Sequence, residues 1–153
     1  MPIGKTSKSI VATYIGTMDF IRSEFANVPL SVQNGWDERY FSFNSQFGQC
    51  DTCMGEGKTK VKYTEGTLVQ CPDCKGKRYK KDILSVLYRD KSIDEILNLS
   101  VNEAIQFWDE SVEAIQGLKS LQKVGLGYLK LGQGTSTLSG GEAARLKLAK
   151  DLI

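Results

Sequence analysis

Two cysteine pairs constrain this chain more than any other feature. Cys50-x2-Cys53 and Cys71-x2-Cys74 are separated by 17 residues, inside the window of a four-cysteine zinc site. Each turn presents two thiolates to one ion, and a hairpin between the pairs folds the second onto the first. Four sulfurs complete a tetrahedron and leave no open position, so the expected Zn2+ site is structural rather than catalytic. Gly55 and Gly57 follow the first pair and Gly76 the second, where glycine lets the backbone turn tightly around a metal. So small a module has little core, and zinc would supply much of its folding free energy. A redox motif would not come in two spaced pairs. A fully buried set of unrelated cysteines would not sit among Gly, Lys and Asp.

The first residues, Met1-Pro2-Ile3-Gly4-Lys5, lack the apolar core of a signal peptide. No apolar run approaches the ~18 residues of a membrane helix. A cytoplasmic protein without a membrane partner is therefore expected, in a compartment where disulfides are rare. Histidine is absent, which removes the commonest general base and any Ser–His triad. With 153 residues, 41% hydrophobic and 25% charged, the chain has room for one ordinary domain and a small insertion.

The net charge of +2 argues for no polyanion by itself, but its distribution is uneven. Between Cys50 and Lys81 stand eight Lys/Arg against four Asp/Glu; between Asp90 and Gly117, seven acidic residues face Lys91 alone. Such asymmetry implies surfaces with different partners. The basic cluster Lys75, Lys77, Arg78, Lys80 and Lys81, with lysines 58, 60 and 62 on the adjacent hairpin, could neutralise phosphates. It could equally be a solvated face that keeps a small module soluble.

The opening stretch to Thr13 reads as a basic loop. From Tyr14, the recurrence of Ile15, Met18, Ile21 and Phe25 predicts a helix ending before Pro29. Tyr40, Phe41 and Phe43 suggest a short strand. Strict alternation over Lys58–Tyr63, a turn at Thr64-Glu65-Gly66 and a return strand Thr67–Gln70 make a hairpin. Ile83–Tyr88 reads as another strand with a turn at Arg89-Asp90. Ser100-x-x-Glu103 is a capping box, and a further helix covers Val112–Gln122.

Near the other end, Thr137-Leu138-Ser139-Gly140-Gly141-Glu142 precedes a good helix. Ser139 and Glu142 again make a capping box. A helix N-terminus with a hydroxyl and two close-approach glycines is also a phosphate site. Glycine at the first helical positions costs stability relative to alanine, which favours a functional reason for it. Gly4-Lys5-Thr6, by contrast, lacks the upstream glycine and strand of a phosphate loop.

These residues converge on a family. TLSGGEAARLKLA resembles the ABC-type ATPase signature with Glu142 after the glycine pair. Together with Val124–Tyr128, Leu131-Gly132-Gln133, Ala12-Thr13-Tyr14, Ile21-Arg22, Phe41–Asn44, Cys50–Gly57 and Cys71–Tyr79, it is similar to the C-terminal half of UvrA, the ATPase of excinuclease ABC. That resemblance implies nucleotide-excision repair by a dimeric ATPase that locates distorted duplex DNA and loads its excinuclease partner, the helicase UvrB. It implies that Lys5, Lys8 and Arg22 lie in a DNA-contacting region. Ser139, Gly140, Gly141 and Glu142 would touch the γ-phosphate of ATP held on another lobe, so ATP is expected only in the full protein. Ile10-Val11 stands where the family has Asn-Pro, Lys5 and Lys8 where arginine is common, and Ala144 where glutamine is usual. These departures leave room for a paralogue, for example one linked to drug resistance. No Walker A or Walker B motif is present, so the chain alone should not hydrolyse ATP.

The expected fold is α+β: a mainly helical body, residues 1–49 with 82–153, and an inserted antiparallel β-hairpin zinc module at 50–81. Two alternatives stay open at this point. One is a zinc-dependent protein-interaction module of the DnaJ type; the other is a docking surface for UvrB.

Overall fold

The computed structural model describes residues 8–61, 66–108 and 114–153. Gly16 sets the first departure from sequence periodicity. It is left-handed (φ 89°) and ends helix α1 (Val11–Ile15), and the Thr17 amide reaches back to the Ala12 carbonyl at 2.9 Å. That six-to-one bond is a Schellman stop. A second helix, α2 (Met18–Ala26), then begins, so the single helix expected from Tyr14 is two. Pro29 opens a third, α3 (Pro29–Asn34), in the position where proline's missing N–H costs nothing.

Among the described residues the fold is α+β, with eight helices and one two-stranded antiparallel ribbon. The chain divides into two compact units, Arg22–Asp94 and Met1–Ile21 with Glu95–Ile153. Residues 50–81 lie within the first of these.

In the unit Arg22–Asp94, aromatic side chains make the core. Phe25 packs on Phe41 and on Tyr88, each with centroids 5.4 Å apart, and Phe43 meets the edge of Tyr79 at 5.8 Å. The strand expected at Tyr40–Phe43 is instead a 3-10 turn, Glu38–Phe41. The Asp37 carboxylate accepts the Arg39 amide and starts that turn, and the alternating rings reach separate neighbours rather than one sheet face. The strand expected over Ile83–Tyr88 is also absent. Helix α4 (Lys81–Leu84) takes its first half, while Tyr88 and Lys91 close a tight bridge across Arg89 and Asp90. The turn itself was legible in the sequence: both central residues have positive φ (50° and 70°).

The ribbon pairs β1 (Lys58–Lys60) with β2 (Leu68–Gln70), Lys58 opposite Gln70 and Lys60 opposite Leu68. Lys62, Tyr63 and the turn at Thr64–Glu65 lie outside the described residues.

Helix α5 (Ile93–Leu97) covers the sequence boundary, and the other unit is helical. Helix α6 (Val101–Phe107) carries the expected capping box: the Glu103 amide donates to Ser100 Oγ at 3.0 Å, and the Ser100 amide to Glu103 Oε1 at 2.9 Å. Helix α7 (Ile115–Lys123) packs against α6 and against α8 (Gly140–Asp151). Its buried Ile115, Leu118 and Leu121 sit at helical spacing, each contributing about 1.5–3 kcal/mol by burial. Gly117 is also buried and packs so close to Ile15 that a Cβ there would come within 3.1 Å of it. The start expected for this helix, Val112, lies outside the described residues.

Candidate metal centre and signature helix

The four cysteines come together. Cys50, Cys53, Cys71 and Cys74 are all buried, and their sulfurs lie within 4.8 Å of one another. Cys53 Sγ and Cys74 Sγ are 3.6 Å apart. A tetrahedron with Zn–S bonds of ~2.3 Å has edges of about 3.8 Å, so the donor set fits a tetrathiolate ion.

The two turns repeat one backbone. Met54 and Lys75 have φ 54°, Gly55 and Gly76 φ 83°, and Gly57 and Arg78 φ 76° and 74°. In each, the residue four beyond the second cysteine donates its amide to that sulfur: Gly57 to Cys53 Sγ at 3.2 Å, Arg78 to Cys74 Sγ at 3.4 Å. Such N–H donors favour thiolate over thiol. Cross-bonds join the two turns to each other, Cys71 N to Gly57 O at 2.9 Å and Cys50 N to Arg78 O at 2.8 Å. Gly55 is required on two counts, its positive φ and the Phe43 carbonyl, which a Cβ would meet at 1.9 Å.

Burial pushes the Cys50 thiol up and the Cys74 thiol up to about 12, against the pull of nearby amides. At Cys71, burial is outweighed by the amides of Cys74 and Asp73 and by neighbouring sulfurs, and its thiol is held low. Sulfurs packed this closely resist joint ionisation unless a cation sits among them. A bound zinc would supply that charge and tie both turns together.

The basic residues are less uniform than their sequence suggests. Lys77 Nζ lies 3.8 Å from Asp94 and Lys80 Nζ 3.8 Å from Asp51. Lys81 is exposed at the start of α4. Arg78 is half-buried, its guanidinium 4.7 Å above the Phe43 ring. Burial holds that guanidinium below its usual range. An open groove of about 750 Å3 runs beside the cysteines past Lys75, Lys77, Lys80 and Lys81, with Asp51, Asp73 and Asp82 also in its wall. Arg22 is half-buried, and its charge opposes the burial that raises the Tyr79 phenol. Tyr79 itself is buried and donates its hydroxyl to the Phe41 carbonyl at 2.8 Å. Lys8 is half-buried; Lys5 lies outside the described residues.

Helix α8 opens on the expected capping box. The Glu142 amide donates to Ser139 Oγ at 3.2 Å and the Ser139 amide to Glu142 Oε1 at 3.0 Å. The other carboxylate oxygen accepts the Tyr128 hydroxyl. That bond, then the Ser139 backbone, hold the Glu142 carboxyl below its ordinary range. Gly140 and Gly141 have open space where a Cβ would be, so none of the described residues demands glycine there. Sequence reasoning missed Tyr128, which lies in a turn 14 residues before Glu142, with no single helix or strand joining the two. It also missed the packed role of Arg78, which only the match to Gly57 in the first turn could have hinted at.

The α+β chain thus joins a buried four-cysteine cluster that could hold a metal ion to a helix capped by Ser139 and Glu142. No family model matches the sequence. Relatives nonetheless align along 99% of it: UvrABC system protein A of Mycoplasmopsis pulmonis at 42% identity and of Helicobacter pylori at 46%. The crystal structure of UvrA2 from Deinococcus radiodurans superposes with a TM-score of 0.91 at 44% identity, over 99% of this chain and 19% of that one. The chain spans 16% of the length of these curated relatives. It is homologous to a segment of UvrABC system protein A.

Proposed function

We propose that this chain is the zinc-bearing signature segment from the C-terminal half of a UvrA-type ATPase in nucleotide-excision repair. Zn2+ is held by Cys50, Cys53, Cys71 and Cys74 and has a structural role. Residues 50–81 act as an inserted module within a body formed by 1–49 and 82–153. Ser139, Gly140, Gly141 and Glu142 present their helix N-terminus to the γ-phosphate of ATP bound on another lobe. The observation that carries the phosphate reading is the glycine pair: it costs helix stability, and none of the described residues occupies the space it leaves. Because that arrangement needs a second lobe, the segment by itself is not an ATPase. The proposed repair role places the segment in the bacterial cytoplasm; separately, no described helix is long and apolar enough to cross a membrane.

The segment engages duplex DNA through Lys77, Lys80 and Lys81, with Lys5, Lys8 and Arg22 as further backbone contacts and Arg78 bracing the metal turn behind them. The full protein works as a dimer and loads UvrB. Fluorescence anisotropy of the zinc-loaded chain against duplex DNA at two salt concentrations tests this. Binding that weakens steeply with salt supports it; no binding at low salt sinks it for the isolated segment. The ion pairs of Lys77 and Lys80 with Asp94 and Asp51 favour a second reading, in which this groove docks a protein such as UvrB.

A further inference from the structure

Burial does not account for the β1–β2 ribbon. Two-stranded ribbons are marginal on their own, and this one leaves Leu68 54% and Val69 45% exposed. Lys58, Lys60 and Gln70 are exposed as well. The register sorts these side chains. Lys58, Lys60, Leu68 and Gln70 share one face, and Thr59 and Val69 share the other. Leu68 therefore stands opposite Lys60 and diagonal to Lys58, an apolar side chain beside two cations of the neighbouring strand. The ribbon is tied to the second cysteine turn at its base, where the Gln70 side chain donates to the Lys75 carbonyl.

A protein-binding hot spot would be depleted in lysine. Cations beside an exposed aliphatic side chain suit duplex DNA instead: the cations neutralise phosphates, and the aliphatic group wedges between base steps from the minor groove. We infer that the Lys58/Lys60/Leu68 face is a DNA wedge. Leu68 enters a base step while Lys58 and Lys60, spaced along the neighbouring strand, hold successive phosphates beside it. Such a wedge acts most readily where stacking is already weakened, because less unstacking energy is then required. This inference rests on the DNA-engaging reading above and gives it a specific contact.

The test uses the zinc-loaded chain and a short duplex with 2-aminopurine at a central pyrimidine–purine step. Binding raises the 2-aminopurine fluorescence; Leu68→Ala loses the rise, and Val69→Ala, on the opposite face, keeps it. Leu68→Thr, which retains strand propensity, carries the same expectation as Leu68→Ala. Lys58→Gln and Lys60→Gln each lower the slope of log affinity against log salt by about 1. Zinc content and circular dichroism check that every variant is folded. A chain that does not bind duplex at low salt overturns the DNA reading and the wedge with it. Binding whose fluorescence rise survives both Leu68 substitutions, or is lost equally in Val69→Ala, overturns the wedge and leaves the DNA reading standing. Unchanged salt slopes in both lysine variants remove the ribbon from the DNA.

Discussion

Replacing Arg78 separates two opposing effects at the metal turn. Its backbone sits at φ 74°, where the first turn has Gly57 at 76°. A left-handed conformation costs a non-glycine residue roughly 1–2 kcal/mol, while glycine gives back about 0.4–1 kcal/mol through a freer unfolded chain. The difference leaves glycine ahead of alanine by roughly 1 kcal/mol at this position. Against this stands the guanidinium 4.7 Å above Phe43, a half-buried cation–π contact of about 1 kcal/mol. Arg78→Ala loses the contact and keeps the strain, so it should be the weaker variant. Arg78→Gly loses the contact but relieves the strain, and should stay within about 1 kcal/mol of the natural chain. Because metal binding and folding of such modules are linked, chelator competition for zinc reads the difference. Arg78→Gly should retain zinc roughly fivefold more tightly than Arg78→Ala. Equal affinities, or a tighter alanine variant, would refute the claim that backbone strain at this turn opposes metal binding.

Serine at any one of the four cysteines should reduce bound zinc from one per chain to well below it, as read by elemental analysis; full retention in two or more variants would remove the tetrathiolate. Gly55→Ala should destabilise the unit by more than ~2 kcal/mol, combining left-handed strain with collision against Phe43 O. Gly35→Ala, also left-handed but with open space around it, should cost only about 1 kcal/mol in the same urea titration. Glu142 should titrate below 4.5 in carboxyl carbon NMR, and Tyr128→Phe should bring it back up. Since the folded value is depressed, the carboxylate's contribution to stability is complete above its ordinary range and is lost as pH falls through the lowered midpoint. An unchanged midpoint in Tyr128→Phe would show that the tyrosine hydroxyl does not hold that carboxylate.

What the sequence by itself determined lies in short-range signals with one physical solution. The cysteine spacing specified a four-thiolate cluster, Ser100/Glu103 and Ser139/Glu142 specified helix starts, and Arg89-Asp90 specified a turn. The caps and the turn work through bonds among residues a few positions apart, and the cysteine pairs, though Cys53 and Cys74 stand 21 residues apart, share the one geometry a tetrahedral metal allows. Tertiary structure decided what local patterns left ambiguous. Aromatic residues at Tyr40–Phe43 mimic a strand, yet Phe41 and Phe43 pack on Phe25 and Tyr79 across many residues of chain. Ile83–Tyr88 is rich in strand formers, but among the described residues no neighbouring strand pairs with it and α4 forms in its place. Lys77, Arg78 and Lys80 read as one basic run, whereas packing pairs two of them with aspartates and lays the third on Phe43. Charge is written in the sequence; which side chain still faces solvent with its charge uncompensated depends on neighbours that only the folded chain brings close.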